Sequence, residues 1–329
     1  MKINRSELHA VLEKLQPGLA AKEIIEQSNK YIFQPKFIRT YNDEVAVTCP
    51  LATELEGVVP SEEFYNIIKK IPDEVILLES DDKEMVVRGR KKKYKIKIDT
   101  TIVLPNIKTN IKKWNTLPDD FLDAISFCAF STSKDATDPT LTCLFISKNE
   151  VRSTDDKIRA TIWTMQSEVK DEFLLPGEFI KAVLKYKPIK YSIEKSWLHF
   201  SNDDGSVFSC RTVDDEFPDI SNYFKVKGSS ITLPSDFAKI VDRSHILQKD
   251  EEKLINIALT KNKVTCVGEG EAGEGTEWES IEYDGPDISI YVNPLFLTQI
   301  LLHLQKVTIG EKRLLFKGKN FEHVVCVAV

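Results

Sequence analysis

Apolar positions along the chain fall into short stripes of two kinds. One kind recurs every three or four residues, as in Leu8, Val11, Leu12 and Leu15, or Phe64, Ile67, Ile68 and Ile71, and predicts amphipathic helices. The other alternates with polar residues, as in Tyr94-Lys-Ile-Lys-Ile98 and the terminal His323-Val-Val-Cys-Val-Ala-Val329, and predicts half-buried strands. Four of the helical stripes are announced by proline and acidic residues: Pro60-Ser-Glu-Glu-Phe, Pro118-Asp-Asp-Phe, Pro176-Gly-Glu-Phe and Pro234-Ser-Asp-Phe. Proline suits a first helical turn, where its missing N–H is not needed, and carboxylates there favour the positive end of the helix dipole. Two further helices open at Arg5-Ser-Glu-Leu8 and Asn293-Pro-Leu-Phe296.

The spacing of these starts is regular. Pro60 to Pro176 is 116 residues, Pro176 to Asn293 is 117, Pro118 to Pro234 is 116 and Arg5 to Pro118 is 113. Six helices therefore form two interleaved series, each recurring three times. Alternating strand pairs follow each second-series helix: Glu74-Val-Ile-Leu-Leu with Tyr94–Ile98, Lys190-Tyr-Ser-Ile with Val207-Phe-Ser-Cys, and Lys306-Val-Thr-Ile with His323–Val327. The turns Val103-Leu-Pro105-Asn-Ile107 and Glu216-Phe-Pro218-Asp-Ile220 match, with prolines 113 residues apart. The repeat predicts an α+β protein of three alike domains, at 1–115, 116–228 and 229–329, with boundaries near Lys112 and Lys227. Each holds two short helices packed on antiparallel sheets with about eight short strands.

Charge adds a second layer. The net charge is −6, yet residues 1–118 hold 20 Lys and Arg against 17 Asp and Glu. The predicted helices place cations on the side turned from the apolar stripe: Arg5 and Lys14, Lys69 and Lys70, Lys181 and Lys185, Lys239 and Arg243, then Gln299, His303 and Lys306 beside the last. The helix after Pro118 carries Asp119, Asp120 and Asp123 instead. Lysines on a single helix are an ordinary solvated face; recurrence on helix after helix in a net-acidic chain predicts a shared anionic partner.

The six cysteines, at 49, 128, 143, 210, 266 and 326, include no CxxC pair and read as reduced core residues of a cytoplasmic protein. No apolar run reaches the roughly 20 residues needed to cross a bilayer.

Several motifs join the repeat in pointing to one family. Arg152-Ser-Thr-Asp-Asp-Lys-Ile-Arg-Ala160 resembles the Ala-Thr-Asp-Gly-His-Arg-Leu-Ala motif of the bacterial sliding clamp, the beta subunit of DNA polymerase III. Glu216-Phe-Pro-Asp-Ile220 resembles its Gly-Glu-Phe-Pro-Asp-Tyr, and the terminal strand resembles its last strand. The resemblance spans essentially the whole chain and implies a non-enzymatic processivity factor without metal or cofactor. It further implies a head-to-tail homodimeric ring around double-stranded DNA, with helices lining the hole. Arg5, Lys14, Lys69, Lys70, Lys181, Lys185, Lys239, Arg243 and Lys306 would then face DNA. DNA polymerase and clamp loader would dock short peptide motifs in an apolar pocket of Thr154, Asp155, Ile158, Pro218, Tyr223, Phe296, Val324, Val325 and Cys326. Asp156 and Lys157 replace the motif's glycine and histidine, Ile158 and Arg159 align with its arginine and leucine, and Cys-Val-Ala-Val replaces the family tail; a divergent member, cellular or phage-borne, is implied.

Other readings touch parts of the chain. Gly268-Glu-Gly-Glu-Ala-Gly273 spells a dinucleotide motif, but its glutamates repel a pyrophosphate and an acidic hairpin is expected. The lysine run Arg88–Ile98 is expected to be a half-buried strand with Tyr94, Ile96 and Ile98 inward. The paired acids Asp155-Asp156, Asp203-Asp204 and Asp214-Asp215 are expected in solvated turns; as metal ligands they would indicate a DNA-processing enzyme. A repeat protein that only scaffolds other proteins is the third alternative.

Overall fold

The structure is a computed structural model and describes every residue except 106, 108–110, 112, 249–253 and 329. Asn106 of the matched turn, the boundary residue Lys112 and the terminal Val329 fall outside the described residues.

One pattern of elements occurs three times. The first run is β1 (Lys2–Asn4), α1 (Arg5–Leu15), β2 (Lys30–Gln34), β3 (Phe37–Tyr41), β4 (Val45–Pro50), β5 (Gly57–Pro60), α2 (Ser61–Lys70), β6 (Val75–Ser80), β7 (Glu84–Gly89) and β8 (Lys92–Lys97). The second is β9 (Asn115–Thr116), α3 (Phe121–Cys128), β10 (Cys143–Ser147), β11 (Glu150–Thr154), β12 (Arg159–Thr164), β13 (Phe173–Pro176), α4 (Gly177–Tyr186), β14 (Lys190–Glu194), β15 (Trp197–Ser201) and β16 (Val207–Arg211). The third is β17 (Gly228–Thr232), α5 (Phe237–Ser244), β18 (Ile255–Thr260), β19 (Lys263–Gly270), β20 (Gly273–Ser280), β21 (Ile288–Val292), α6 (Pro294–Leu301), β22 (Lys306–Gly310), β23 (Arg313–Lys317) and β24 (Phe321–Cys326).

Each run makes two half-sheets of the same design. The strands between its helices form a meander whose fourth strand returns to pair with the first, giving β5-β2-β3-β4, β13-β10-β11-β12 and β21-β18-β19-β20. The strands after its second helix form a three-strand meander that takes in the lone first strand, giving β8-β7-β6-β1, β16-β15-β14-β9 and β24-β23-β22-β17. The expected strand pairs are therefore the outer members of three-strand meanders, with β7, β15 and β23 between them. β4 hydrogen-bonds to β16 and β12 to β24, so four of the six half-sheets merge into two eight-stranded sheets. The other two remain four-stranded.

This merging governs how the chain compacts. Met1–Asp119 with Glu178–Thr212 form one unit, and Asp120–Gly177 with Val213–Val329 form the other. The second run is split because its first half-sheet is bonded to the third run and its second to the first.

Within each unit the helices lie on the sheets as their apolar stripes require. Phe64, Phe121, Phe179 and Phe237, which follow the four prolines at three or four residues, are all buried. Burial of each such side chain contributes about 1.5–3 kcal/mol. The prolines are not in the first helical turn, however. Pro60 and Pro176 end β5 and β13, and Pro118 and Pro234 precede a turn; only Pro294 is a first helical residue. A strand running straight into a helix uses the proline as its own last residue, where no ladder donor is needed.

The acidic glycine-rich segment is the β19–β20 hairpin, with Gly270 opposite Gly273. In β8, Ile96 is buried while Tyr94 is 38% exposed; among the described residues β8 is an edge strand, paired on one side only. Five cysteines are buried, Cys326 is partly so, and all are free thiols. No helix among the described residues is long and apolar enough to cross a membrane.

Candidate functional site

The helix cations divide into paired and free. In the first unit, Glu13 on α1 accepts the Tyr65 hydroxyl of α2 and sits 3.4 Å from Lys185 Nζ of α4. The Tyr65 hydrogen bond, aided by Lys185, holds this carboxylate below its ordinary range. The His9 ring lies 5.2 Å from that of Tyr65, and Lys69 Nζ lies 5.6 Å from the centre of the Tyr65 ring. Lys14 is ion-paired with Asp204, so the Asp203-Asp204 pair is not simply solvated. Three helices are thus brought together around one carboxylate.

In the second unit Arg243 of α5 makes a two-pronged bond to Glu277 of β20, Nε to Oε1 at 2.8 Å and Nη2 to Oε2 at 2.5 Å. Glu277 raises the Arg243 pKa and is itself lowered by it. Lys239 lies 3.4 Å from Asp236. Among the described residues Arg5, Lys70, Lys181 and Lys306 have no carboxylate partner within ion-pair distance. Lys306 is not on α6, which ends at Leu301; it opens β22 opposite Thr232. His303, also beyond the helix, packs edge-on against Phe127 at 5.0 Å. Before α3 one of the acids is structural as well: Asp120 accepts the Trp163 indole N–H at 3.3 Å and the Gln166 amide, while Asp119 and Asp123 are exposed.

The nine residues of the expected apolar pocket all belong to the second unit. The β12–β24 junction positions most of them. Val324 and Val325 pair with Ala160 and Arg159, and the Cys326 amide donates to the Ile158 carbonyl at 2.7 Å. Asp155 holds the turn before β12: Oδ1 accepts the amides of Lys157, Ile158 and Arg159, and Oδ2 accepts Arg159 Nε at 3.0 Å. It is therefore a largely buried turn residue rather than a solvated acid. Asp156, at φ 56°, takes the left-handed position and accepts the Tyr223 hydroxyl at 2.6 Å.

Burial separates the nine. Thr154, Val324 and Val325 are fully buried and lie beneath any surface a partner could touch. Ile158 is 37% exposed, while Pro218, Tyr223, Phe296 and Cys326 are partly exposed. Leu295, next to Phe296 in the chain, is exposed, as is Tyr291 on β21.

Sequence reasoning passed over Arg159 as a site residue. Its guanidinium stacks 3.8 Å from the centre of the Phe296 ring, donates to the Phe130 carbonyl and pairs with Asp155. The stack fixes Phe296, the one phenylalanine of the helix series not sunk in a core. The displaced arginine of the family motif was the available signal.

Among the described residues no three His, Cys, Asp or Glu side chains cluster as metal ligands.

The arrangement of half-sheets, the six helices among the described residues and the β12–β24 junction define the fold class: the chain has the architecture of the bacterial DNA sliding clamp. No family model matches the chain. The curated beta sliding clamp of Mycoplasma genitalium is 18% identical over 358 residues, covering 97% of this chain and 93% of that protein. Among solved structures, the Pseudomonas aeruginosa sliding clamp bound to griselimycin superposes with a TM-score of 0.88 at 15% identity, covering 100% of this chain and 99% of that one. The Thermotoga maritima DNA polymerase III beta subunit gives 0.84 at 18%, covering 100% and 98%. The Caulobacter crescentus beta sliding clamp, with polyethylene glycol at its beta-motif tethering region, gives 0.87 at 15%, covering 100% and 98%.

Proposed function

We propose that this chain is a DNA sliding clamp, a cytoplasmic, non-enzymatic processivity factor that encircles duplex DNA as a homodimer and tethers a replicative polymerase. The observation that carries the reading is which strands are left unpaired. β4 pairs with β16 and β12 with β24, in each case the third meander strand of one run with the last strand of the next. By the same rule β20 requires β8, and within one chain both are sheet edges. A second copy supplies the missing partner at each edge, closing six alike domains into a ring of two-fold symmetry. The three runs support three domains at 1–115, 116–228 and 229–329.

Charge favours this pairing. β8 carries Lys92, Lys93, Lys95 and Lys97, whereas β20 carries Glu274, Glu277 and Glu279. Light scattering should give a dimer, and the dimer, once loaded, should stay on nicked circular DNA and slide off linear DNA. A monomer that no loader retains on circles would overturn the reading; metal-dependent turnover of DNA would point to a processing enzyme instead.

The DNA-facing set we propose is Arg5, Lys14, Lys69, Lys70, Lys181, Lys185, Lys239, Arg243 and Lys306, acting on phosphates rather than bases. Carboxylate partners lower what Lys14, Lys185 and Arg243 offer. Replacing Glu277 by Gln should release Arg243, lengthen retention and steepen the slope of log affinity against log salt by about 0.9. An unchanged slope would mean that Arg243 does not reach phosphate.

For the polymerase and loader peptides, the surface we propose is Ile158, Pro218, Tyr223, Phe296 and Cys326, backed by Thr154, Asp155, Val324 and Val325. Partly exposed aromatic anchors beside apolar side chains suit a peptide hot spot, and the similar Caulobacter clamp carries a beta-motif tethering region. Ile158→Asp should abolish peptide binding with a stability loss under about 1 kcal/mol, its side chain being already in part solvated. Val325→Asp is a different experiment. It buries an unpaired charge, so its expected result is a loss of about 3–5 kcal/mol of stability. Normal polymerase stimulation by the Ile158 variant would move the site elsewhere.

A further inference from the structure

We propose that a cleft beside this peptide surface, between the 225–227 segment and the β22–β23 turn, is the seat for an acidic stretch flanking the partner's apolar anchor. The proposal rests on the peptide-docking reading above. The cleft has a volume of about 370 Å³ and is lined by Lys225, Lys227, Lys312 and Arg313 with a single carboxylate, Glu311. Its walls are held close by glycine: a Cβ on Gly310 would come within 2.6 Å of Val226 Cγ1.

The cations here differ from several others in the same unit. Arg152, Lys317 and Arg243 each sit on a carboxylate: Glu150, Glu322 and Glu277. Around the cleft the partners are neutral. Lys225 Nζ donates to the Asn222 side-chain oxygen at 2.9 Å, and Arg313 Nη1 donates to the carbonyls of Asn222 and Tyr223 at 3.1 and 3.4 Å. Lys227 and Lys312 have no ion pair among the described residues. Four cations against one carboxylate, in a chain of net charge −6, leave an uncompensated positive field in a concave site.

Continuity selects the occupant. The Arg313 guanidinium lies 5.0 Å from the centre of the Tyr223 ring, so one side chain lines the cleft and backs an aromatic of the peptide surface. A peptide anchored on Tyr223 and Phe296 would carry its flank into the cleft. Carboxylates on that flank meet Lys227 and Lys312, which have no ion pair among the described residues.

The test uses the full-length dimer and two labelled peptides with one Leu-Phe anchor, flanked on either side by three Glu or by three Gln. Fluorescence anisotropy at low salt should show the glutamate peptide binding roughly tenfold tighter, each exposed pair adding a modest share. The advantage should vanish at high salt and in a Lys227→Glu, Lys312→Glu variant, while affinity for the glutamine peptide stays the same. Equal affinities for the two peptides would overturn the acidic-flank proposal alone. Binding of neither peptide would overturn it together with the docking surface beneath. A charge-reversed variant that keeps the peptide preference but loses a short DNA duplex or inorganic phosphate would assign the cleft to phosphate and also overturn it.

Discussion

Converting Lys93, Lys95 and Lys97 of β8 to glutamate should leave the chain monomeric at micromolar concentration and abolish its retention on circular DNA. The three side chains lie on one face of an edge strand, opposite Arg88, Val86 and Glu84 of β7, and among the described residues no strand pairs with its outer edge. An open edge of this kind offers a full row of backbone donors and acceptors to another strand. Charge decides which strand is accepted, since like charges directly across a ladder are unfavourable and opposite ones favourable. In the variant, three glutamates would run along a partner's β20, which presents Glu277 and Glu279 on one face and Glu274 on the other, at both junctions. The complementary variant, with Glu274 and Glu279 replaced by lysine, should also be monomeric. Mixing the two should restore both junctions and so give a closed heterodimer. Light scattering and a mixing titration separate the outcomes. A variant dimer indistinguishable from the parent would refute the β8–β20 junction while leaving the fold untouched.

Acid should destabilise the protein well before its carboxylates titrate. His199 is buried, bonds the Ser209 hydroxyl at 2.7 Å, and is pushed down to about 4 by burial, with Glu194 acting weakly the other way. His323 is fully buried, bonds the Thr161 hydroxyl at 2.8 Å, and is pushed down to about 3 by burial and by the charge of Arg159, against Asp155. Both imidazoles stay neutral in the folded state, whereas the unfolded chain takes up a proton on each below about pH 6.5. The unfolded state then binds more protons, and stability falls as pH drops, by about 1.4 kcal/mol per pH unit for each histidine. Between pH 7 and 5 each unit should lose about 2 kcal/mol, since His199 belongs to one and His323 to the other. The depressed carboxylates Glu13, Asp204 and Glu277 contribute only at lower pH. Denaturant midpoints at the two pH values test this. His323→Asn should flatten the pH response of its unit while leaving the other unit's slope as it was. A slope unaltered by that replacement would assign the acid sensitivity to other groups.

Much of this architecture was legible because it is local. Helix faces such as Leu8, Leu12 and Leu15, or Phe237, Ile240 and Val241, are set by residues within two turns of one another, and their threefold recurrence needed only counting. The clamp resemblance of the Arg152–Ala160 segment was likewise readable, since a turn followed by a strand carries its own signals. The middle strands β7, β15 and β23 were harder. Their patterns are short, and which strands neighbour one another is a matter of pairing, not of sequence order.

The site depended still more on distance along the chain. Lys14 and Asp204 are 190 residues apart, Lys185 and Glu13 are 172 apart, and no spacing rule links them. The same holds for Arg243 with Glu277 and for Arg159 over Phe296. Local periodicity determined the six helices, the cationic faces of four of them and the threefold plan, because a helix or strand face is written in neighbouring residues. Tertiary packing alone decided which cations stay free, that Val325 is core rather than contact surface, and that β8 and β20 remain edges. Those outcomes depend on which distant half-sheets meet, and ion pairing, burial and edge exposure exist only once they have met.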